Sequence, residues 1–289
     1  MVFLLRSDVA SVASTPDRTT QWGQHHVHEI AQTHLQLFNQ LIDAGWLEDE
    51  LIRIRLAYDL QVELFGGSRT QSGKFHEAHN IGTASILAAA GADVSVVGAG
   101  LLHNAYNTGD FGDVAKGATT TRRAELRSVL GERGEACVAK FEKRHRWMTP
   151  DALARSADEI DPAERDARLI WLAEELDHHV DFGLRYRFSM DNRNISVDIG
   201  FDGLLAVARD IGHDRLATLM EEICRAEDEA QVPESLRTRM TGQHPGVSRS
   251  WIGGPKHRRS PVPDRVRIWL GGARRAAGRV RRRVAGLRS

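Results

Sequence analysis

The stretch 79-HNIGTASILAAAGADVSVVGAGLLHN-104 decides the fold. Small and apolar residues fill it, but "GAD" at 91–93 divides the run into two helices joined by a turn, so neither half is long enough to span a bilayer. Asp93 is a natural N-cap for the second helix, which ends at His103. Two consecutive helices, of about 77–90 and 94–103, thus carry His79 and His103.

Outward from this pair the helical pattern continues in both directions. Leu35, Phe38, Leu41 and Ile42 mark one amphipathic face that stops at Gly45. Leu51, Ile54, Leu56, Leu60 and Leu64 mark the next, which stops at the glycine pair 66–67. A loop, "GGSRTQSGK", leads into the first histidine helix. Beyond His103, helices are expected near 121–131 and 134–147. At "DPAE" 161–164, Asp161 caps, Pro162 occupies the first turn and Glu164 completes a capping box. The helix so launched carries Leu169, Leu172, Ala173, Leu176 and Val180 along one face, with Glu174, Asp177 and His178 beside it. Helices near 201–212 and 214–229 finish an all-α body, and strand-like alternation is scarce throughout.

Composition fits this class. Of 289 residues, 41% are hydrophobic and 27% charged, and the formal net charge is zero. Residues 255–289 nevertheless hold twelve Lys/Arg and one Asp, so a basic tail follows an acidic body. The two cysteines, Cys137 and Cys224, are far apart without CxxC spacing, which points to neither a disulfide framework nor a zinc ribbon and suits a reducing, cytoplasmic setting. The apolar run in "MVFLLRSDVASVAS" is too short for a secretory signal. The expected organisation is an N-terminal tail at 1–24, a helical domain at 25–230, a Pro/Gly/Ser/Arg-rich linker at 231–263 and a basic amphipathic helix at 264–289. In that last segment Val266, Trp269, Leu270, Ala273, Ala277, Val280, Val284 and Leu287 oppose arginines. It suits an anionic membrane surface better than nucleic acid, since no aromatic interleaving or nucleic-acid motif accompanies the arginines.

His79, His103 and a carboxylate from the 162–181 helix make a plausible set for Zn, Fe, Mn or Ni, because neutral imidazoles and carboxylates converge readily in a helix bundle. Taken alone, His103 reads most simply as a cation at the negative end of a helix dipole, with Asn104 as a left-handed cap. "HHVHE" at 25–29 lacks the second half of an HExxH motif and reads as a solvated helix. Arg122 and Arg123 read as a helix-start pair. Of His178 and His179, which point about 100° apart, at most one faces the pocket and the other lies at the surface.

Together, these stretches resemble the HD-domain superfamily. The pattern is similar to the (p)ppGpp hydrolase domain: Ala57–Tyr58, then Ser72–Gly73, then "HNIGTASIL" from His79, "GAGLLHN" ending at Asn104, and "WLAEEL" with Glu174 at the position of a family Asp. It looks closer still to an uncharacterised HD-like family with the motif H-x-x-GT … GLLH-x-x-Y-x-T, matched by His79, Gly82–Thr83, Ile86–Leu87, Gly100–His103, Tyr106 and Thr108. The resemblance covers about 57–113, with an echo at 168–178. It implies an HD-like helix bundle holding one divalent metal, Fe, Mn or Zn, through His79, His103 and Glu174, with Asn104 as a neutral fourth donor. It also implies substrate contacts near the Ser–Gly loop, where Arg69, Lys74 and His76 lie, together with Asn104 and Tyr106.

The chain departs from that pattern at Asn104, where the family has Asp, and at Asn107 and Thr108, where the hydrolases have a Glu–Asp pair. Each lost carboxylate weakens the hold on a cation and the cation's power to acidify water. The first expectation is therefore a domain that binds a phosphorylated small molecule, such as a nucleotide or sugar phosphate, or a partner, without (p)ppGpp hydrolysis. The second is a metal-dependent phosphohydrolase or non-haem iron oxygenase, with Glu174, Asp177 and His178 as catalytic candidates and Asp110 or Asp113 as relocated acids. The third is an interaction or membrane-surface protein acting through the basic tail.

Overall fold

A computed structural model describes residues 30–70, 74–113, 115–180, 195–231 and 233–236. The 1–24 tail, "HHVHE" at 25–29, Ser72–Gly73, most of the 231–263 segment and all of 264–289 lie outside them. The described residues form an all-α multi-helix bundle, and the one extended pairing among them is an isolated antiparallel bridge between Arg69 and Phe75. No helix among them is long and apolar enough to cross a membrane.

The order is α1 (His34–Asp43), α2 (Glu48–Phe65), α3 (His76–Ala89), α4 (Val94–Leu102), α5 (Ala105–Thr108), α6 (Thr120–Glu142), α7 (Pro150–Leu153), α8 (Pro162–His179), α9 (Ile195–Asp210) and α10 (Asp214–Glu229). Asp93 caps α4 as expected, its carboxylate accepting from the backbone N–H groups of Ser95 and Val96. Gly91 permits the preceding turn at φ 85°.

The expected faces of α1 and α2 need correction. Leu37 and Leu41 are buried on α1, whereas Leu35 and Ile42 are 65% and 56% exposed. On α2, Leu56 is exposed while Ala57, Tyr58, Gln61 and Phe65 turn inward with Ile54, Leu60 and Leu64. The inward stripe is set by tertiary packing, which takes small and polar residues that a count of large apolar residues passes over.

Helix α8 is the centre of the bundle, packed by α3, α6, α9 and α10. Its expected face holds, with Leu169, Leu172, Ala173 and Leu176 buried; Trp171 and Arg168 are fully buried as well. Each large apolar side chain removed from water contributes about 1.5–3 kcal/mol. Arg168 sits in this interior because Glu164 and the carbonyls of Ala152, Leu153 and Arg155 accept its hydrogens. Asp161 caps α8 through the N–H of Glu164. The Glu164 carboxylate, expected to complete a capping box, binds Arg155 and Arg168 instead, since a buried arginine is the stronger partner.

The two helices expected after residue 121 are present, meeting within α6 at Gly131, whose φ of 74° breaks the helix there. Helix α6 ends at Glu142, and residues Arg144–Arg146 form a separate 3-10 turn rather than continuing the helix to 147. Helix α3 crosses α4 and α8 closely. A Cβ on Gly100 would lie 2.5 Å from Leu87 Cδ1, so the glycine lets α4 reach α3.

Candidate metal centre

Where α3, α4 and α8 meet, three side chains converge. His79 Nε2 lies 3.8 Å and His103 Nε2 3.6 Å from the same atom, Glu174 Oε1. Both histidines are fully buried, and the Glu174 side chain is 13% exposed. The rings meet edge to face, 5.4 Å between centroids.

The second nitrogen of each ring fixes its orientation. His103 Nδ1 is 2.7 Å from the carbonyl oxygen of Gly100, and His79 Nδ1 is 2.7 Å from Asp177 Oδ2. A carbonyl and a carboxylate only accept, so each Nδ1 carries a hydrogen, and the two Nε2 atoms face Glu174. Imidazoles held at Nδ1 by backbone or carboxylate acceptors are the usual outer support of metal-ligating histidines.

Asp177 is itself held in place. Lys74 Nζ donates to its two oxygens at 2.8 and 2.9 Å, and the side chain is fully buried. The carboxylate fits against α3 only because residue 82 has no side chain: a Cβ there would lie 1.8 Å from Asp177 Oδ1. The Gly82 of the GT pair is thus a packing requirement of the His79–Asp177 bond.

Residues 174, 177 and 178 share one face of α8 because helical neighbours recur at three and four residues. His178 stacks on His79 at 5.0 Å with ring planes 15° apart. His79, Glu174 and His178 each offer a ligand atom within 4.8 Å of one another. His179, expected at the surface if His178 faces the pocket, instead packs on α10, where it is 2.5 Å from Glu227 Oε2.

The protonation pattern follows from the contacts. Burial alone would push the His79 imidazolium down, but Asp177 and Glu174 outweigh it and raise its pKa to about 9. Burial pushes Glu174 up, yet His103, His79 and the charge of Arg144 hold it well below the usual carboxylate range. Asp177 is likewise lowered, by His79 and Lys74 against burial. Without a metal, His79 is a cation between two carboxylates, and a metal would take the place of its Nε2 proton.

Asn104 lies beside this cluster, with Nδ2 2.6 Å from His103 Nε2. Its backbone, at φ −89° and ψ 4°, is not the left-handed cap considered from sequence. The structure separates the other sequence-expected ligand contacts. Lys74 reaches the site through Asp177. Arg69 stacks its guanidinium on Phe75 at 4.0 Å, and His76 is buried against Phe65. Tyr106, expected to line the ligand pocket, is buried and donates to Glu135 at 2.9 Å, because Glu135 is a buried carboxylate also gripped by Arg123 and Arg127. Arg122 is buried on Asp113 and the carbonyls of Ala115 and Gly117, so Asp113, considered as a relocated acid, is paired with that guanidinium. Asp110 accepts from the N–H of Gly112 in its own turn.

Arg144, which sequence reasoning passed over, sits at the edge of the site. Its guanidinium lies 4.6 Å over the Phe141 ring, and that ring packs edge to face on His103 at 5.1 Å. No periodic signal marks it, since it belongs to a short 3-10 turn.

A protein-family model described as a domain of unknown function, DUF6817, matches residues 63–146. That segment holds His79, His103, Asn104 and Arg144 and stops short of Glu174, Asp177 and His178. No curated protein matches the chain.

Proposed function

We propose that His79, His103 and Glu174, with His178 at the rim, form a mononuclear divalent-metal site of an HD-like enzyme, and that the metal is Fe, Mn or Zn. The observation that carries this reading is the shared aim of two Nδ1-anchored imidazoles at one carboxylate oxygen, 3.8 and 3.6 Å away. Two imidazoles and one carboxylate suit first-row divalent metals.

A bound cation would supply Lewis-acid polarisation of a small-molecule substrate. The chain's own residues set the stage for it. Asp177 fixes the ring of His79 and raises its basicity, Lys74 fixes Asp177, and the Gly100 carbonyl fixes His103. His178, half-buried beside His79, is placed to exchange a proton with a bound substrate. The neutral Asn104 leaves the site one negative charge poorer than a His–Asp pair, which disfavours ordinary (p)ppGpp hydrolysis.

A second reading rests on the contact between Asn104 Nδ2 and the Nε2 of His103, which occupies the ring's lone pair. It supports a domain that binds a phosphorylated small molecule without turning it over.

Cobalt(II) titration of the metal-free protein, followed by visible absorption, separates the two. Saturable d–d bands that His79→Ala and His103→Ala abolish support the metal site. Absence of such bands in the wild type supports the binding reading.

A further inference from the structure

We propose that Arg144 is the anchor for an oxyanion group, phosphate or carboxylate, of the molecule that occupies the His79–His103–Glu174 site. This inference rests on the reading of that cluster as a ligand-accepting centre and adds the chemical class of its ligand.

The cations that the sequence offers for a phosphate are already engaged. Lys74 is bound by both oxygens of Asp177, Arg69 lies on Phe75, and His76 is packed on Phe65. Arg144 differs from these. It is half-buried, and its guanidinium stacks on Phe141 and makes no hydrogen bond or ion pair among the described residues. Phe141 in turn packs on His103, so the guanidinium sits one aromatic ring from the proposed ligand cluster.

A guanidinium stacked on an aromatic face keeps the edge of its plane free to donate. Its paired N–H groups match two oxygens of a phosphate or carboxylate, and a ring beneath it limits the side-chain entropy lost on binding. The turn that carries it adds Lys143, His145 and Arg146, all exposed, so this side of the site has a positive approach. A ligand bound to a cation at Glu174 would extend its anionic group toward Arg144.

The test uses the full chain and inorganic phosphate, with acetate as the carboxylate arm, in calorimetric titrations of metal-free and cobalt-loaded protein. Arg144→Gln is expected to weaken oxyanion binding about tenfold or more, and Arg144→Lys to retain part of it, as loss of a charge-assisted bond implies. Arg146→Gln, on the same turn but exposed, serves as the control and should bind as the wild type does. Preference for phosphate or for acetate identifies the group. Circular dichroism checks that each variant is folded, and cobalt binding by Arg144→Gln should be retained. Equal oxyanion affinity in the wild type and Arg144→Gln, or no oxyanion binding by the wild type, overturns the anchor even when cobalt binds. Failure of the wild type to bind cobalt overturns the metal reading instead, and the metal-free titrations still read the anchor.

Discussion

His79 Nδ1 and Asp177 Oδ2, 98 residues apart in sequence, are 2.7 Å apart in the bundle interior. Through this bond α8 orients the histidine of α3, although Asp177 itself does not face the shared Glu174 oxygen. Asp177→Asn should therefore weaken metal binding about 10–100-fold while leaving the protein folded, since the amide can turn its NH₂ toward Nδ1 and favour the wrong ring tautomer. Competitive titration against a chelating dye measures the loss. Wild-type affinity in this variant would remove the orienting role.

Gly82→Ala tests the same contact from the other helix. Its Cβ would lie 1.8 Å from Asp177 Oδ1, so the carboxylate must move or α3 and α8 must part. The expected cost is about 1–3 kcal/mol of stability together with weaker metal binding. Denaturant unfolding of metal-free protein gives the first value and dye competition the second. An unchanged midpoint would show that the helices are not so closely matched.

Asn104→Asp restores a carboxylate beside His103. Metal affinity should rise about tenfold, from the added negative charge. The metal-free variant should be less stable than the wild type, because the new charge would join the Glu174 carboxylate at the same nitrogen of His103. The two effects have opposite signs and are read by calorimetry and thermal unfolding. Loss of metal affinity in Asn104→Asp would argue for a centre that requires a neutral residue there.

His179 gives a pH signature away from the centre. Burial would lower its pKa, but bonds to Cys224 and Glu227 outweigh burial and raise it to about 10. A raised folded-state value means that the protonated form stabilises the fold. That contribution is full below the ordinary histidine pKa of about 6.5 and is lost as pH rises through about 10. The difference in melting temperature between wild type and His179→Gln should therefore be largest near pH 6 and shrink toward pH 10. A constant difference across that range would mean that His179 acts by packing alone.

The helical class and the three converging ligand candidates were legible in the sequence for different reasons. Asp93 and Asp161 announce helix starts through their chemistry alone, and the GT and GLLH spacing places His79 and His103. Residues 174, 177 and 178 lie one helical turn apart, so their shared face was also readable. The division of work among them was not. Whether Asp177 supports a histidine or faces the centre depends on Gly82, 95 residues earlier, having no side chain. Tyr106 was misread because motif spacing does not reveal the buried Glu135 that claims its hydroxyl. Arg144 was missed because a cation–ring contact in a short turn has no periodic trace. On α1, Leu35 and Ile42 are large apolar residues that remain exposed, so size alone misled the choice of face.

The most direct test of the central claim is elemental analysis of protein purified without chelators, alongside His79→Ala, His103→Ala and Glu174→Ala. The metal-centre account predicts near-stoichiometric Fe, Mn or Zn in the wild type and loss of that metal in all three variants. Metal-free wild type that also fails to take up any of these ions on addition would contradict it.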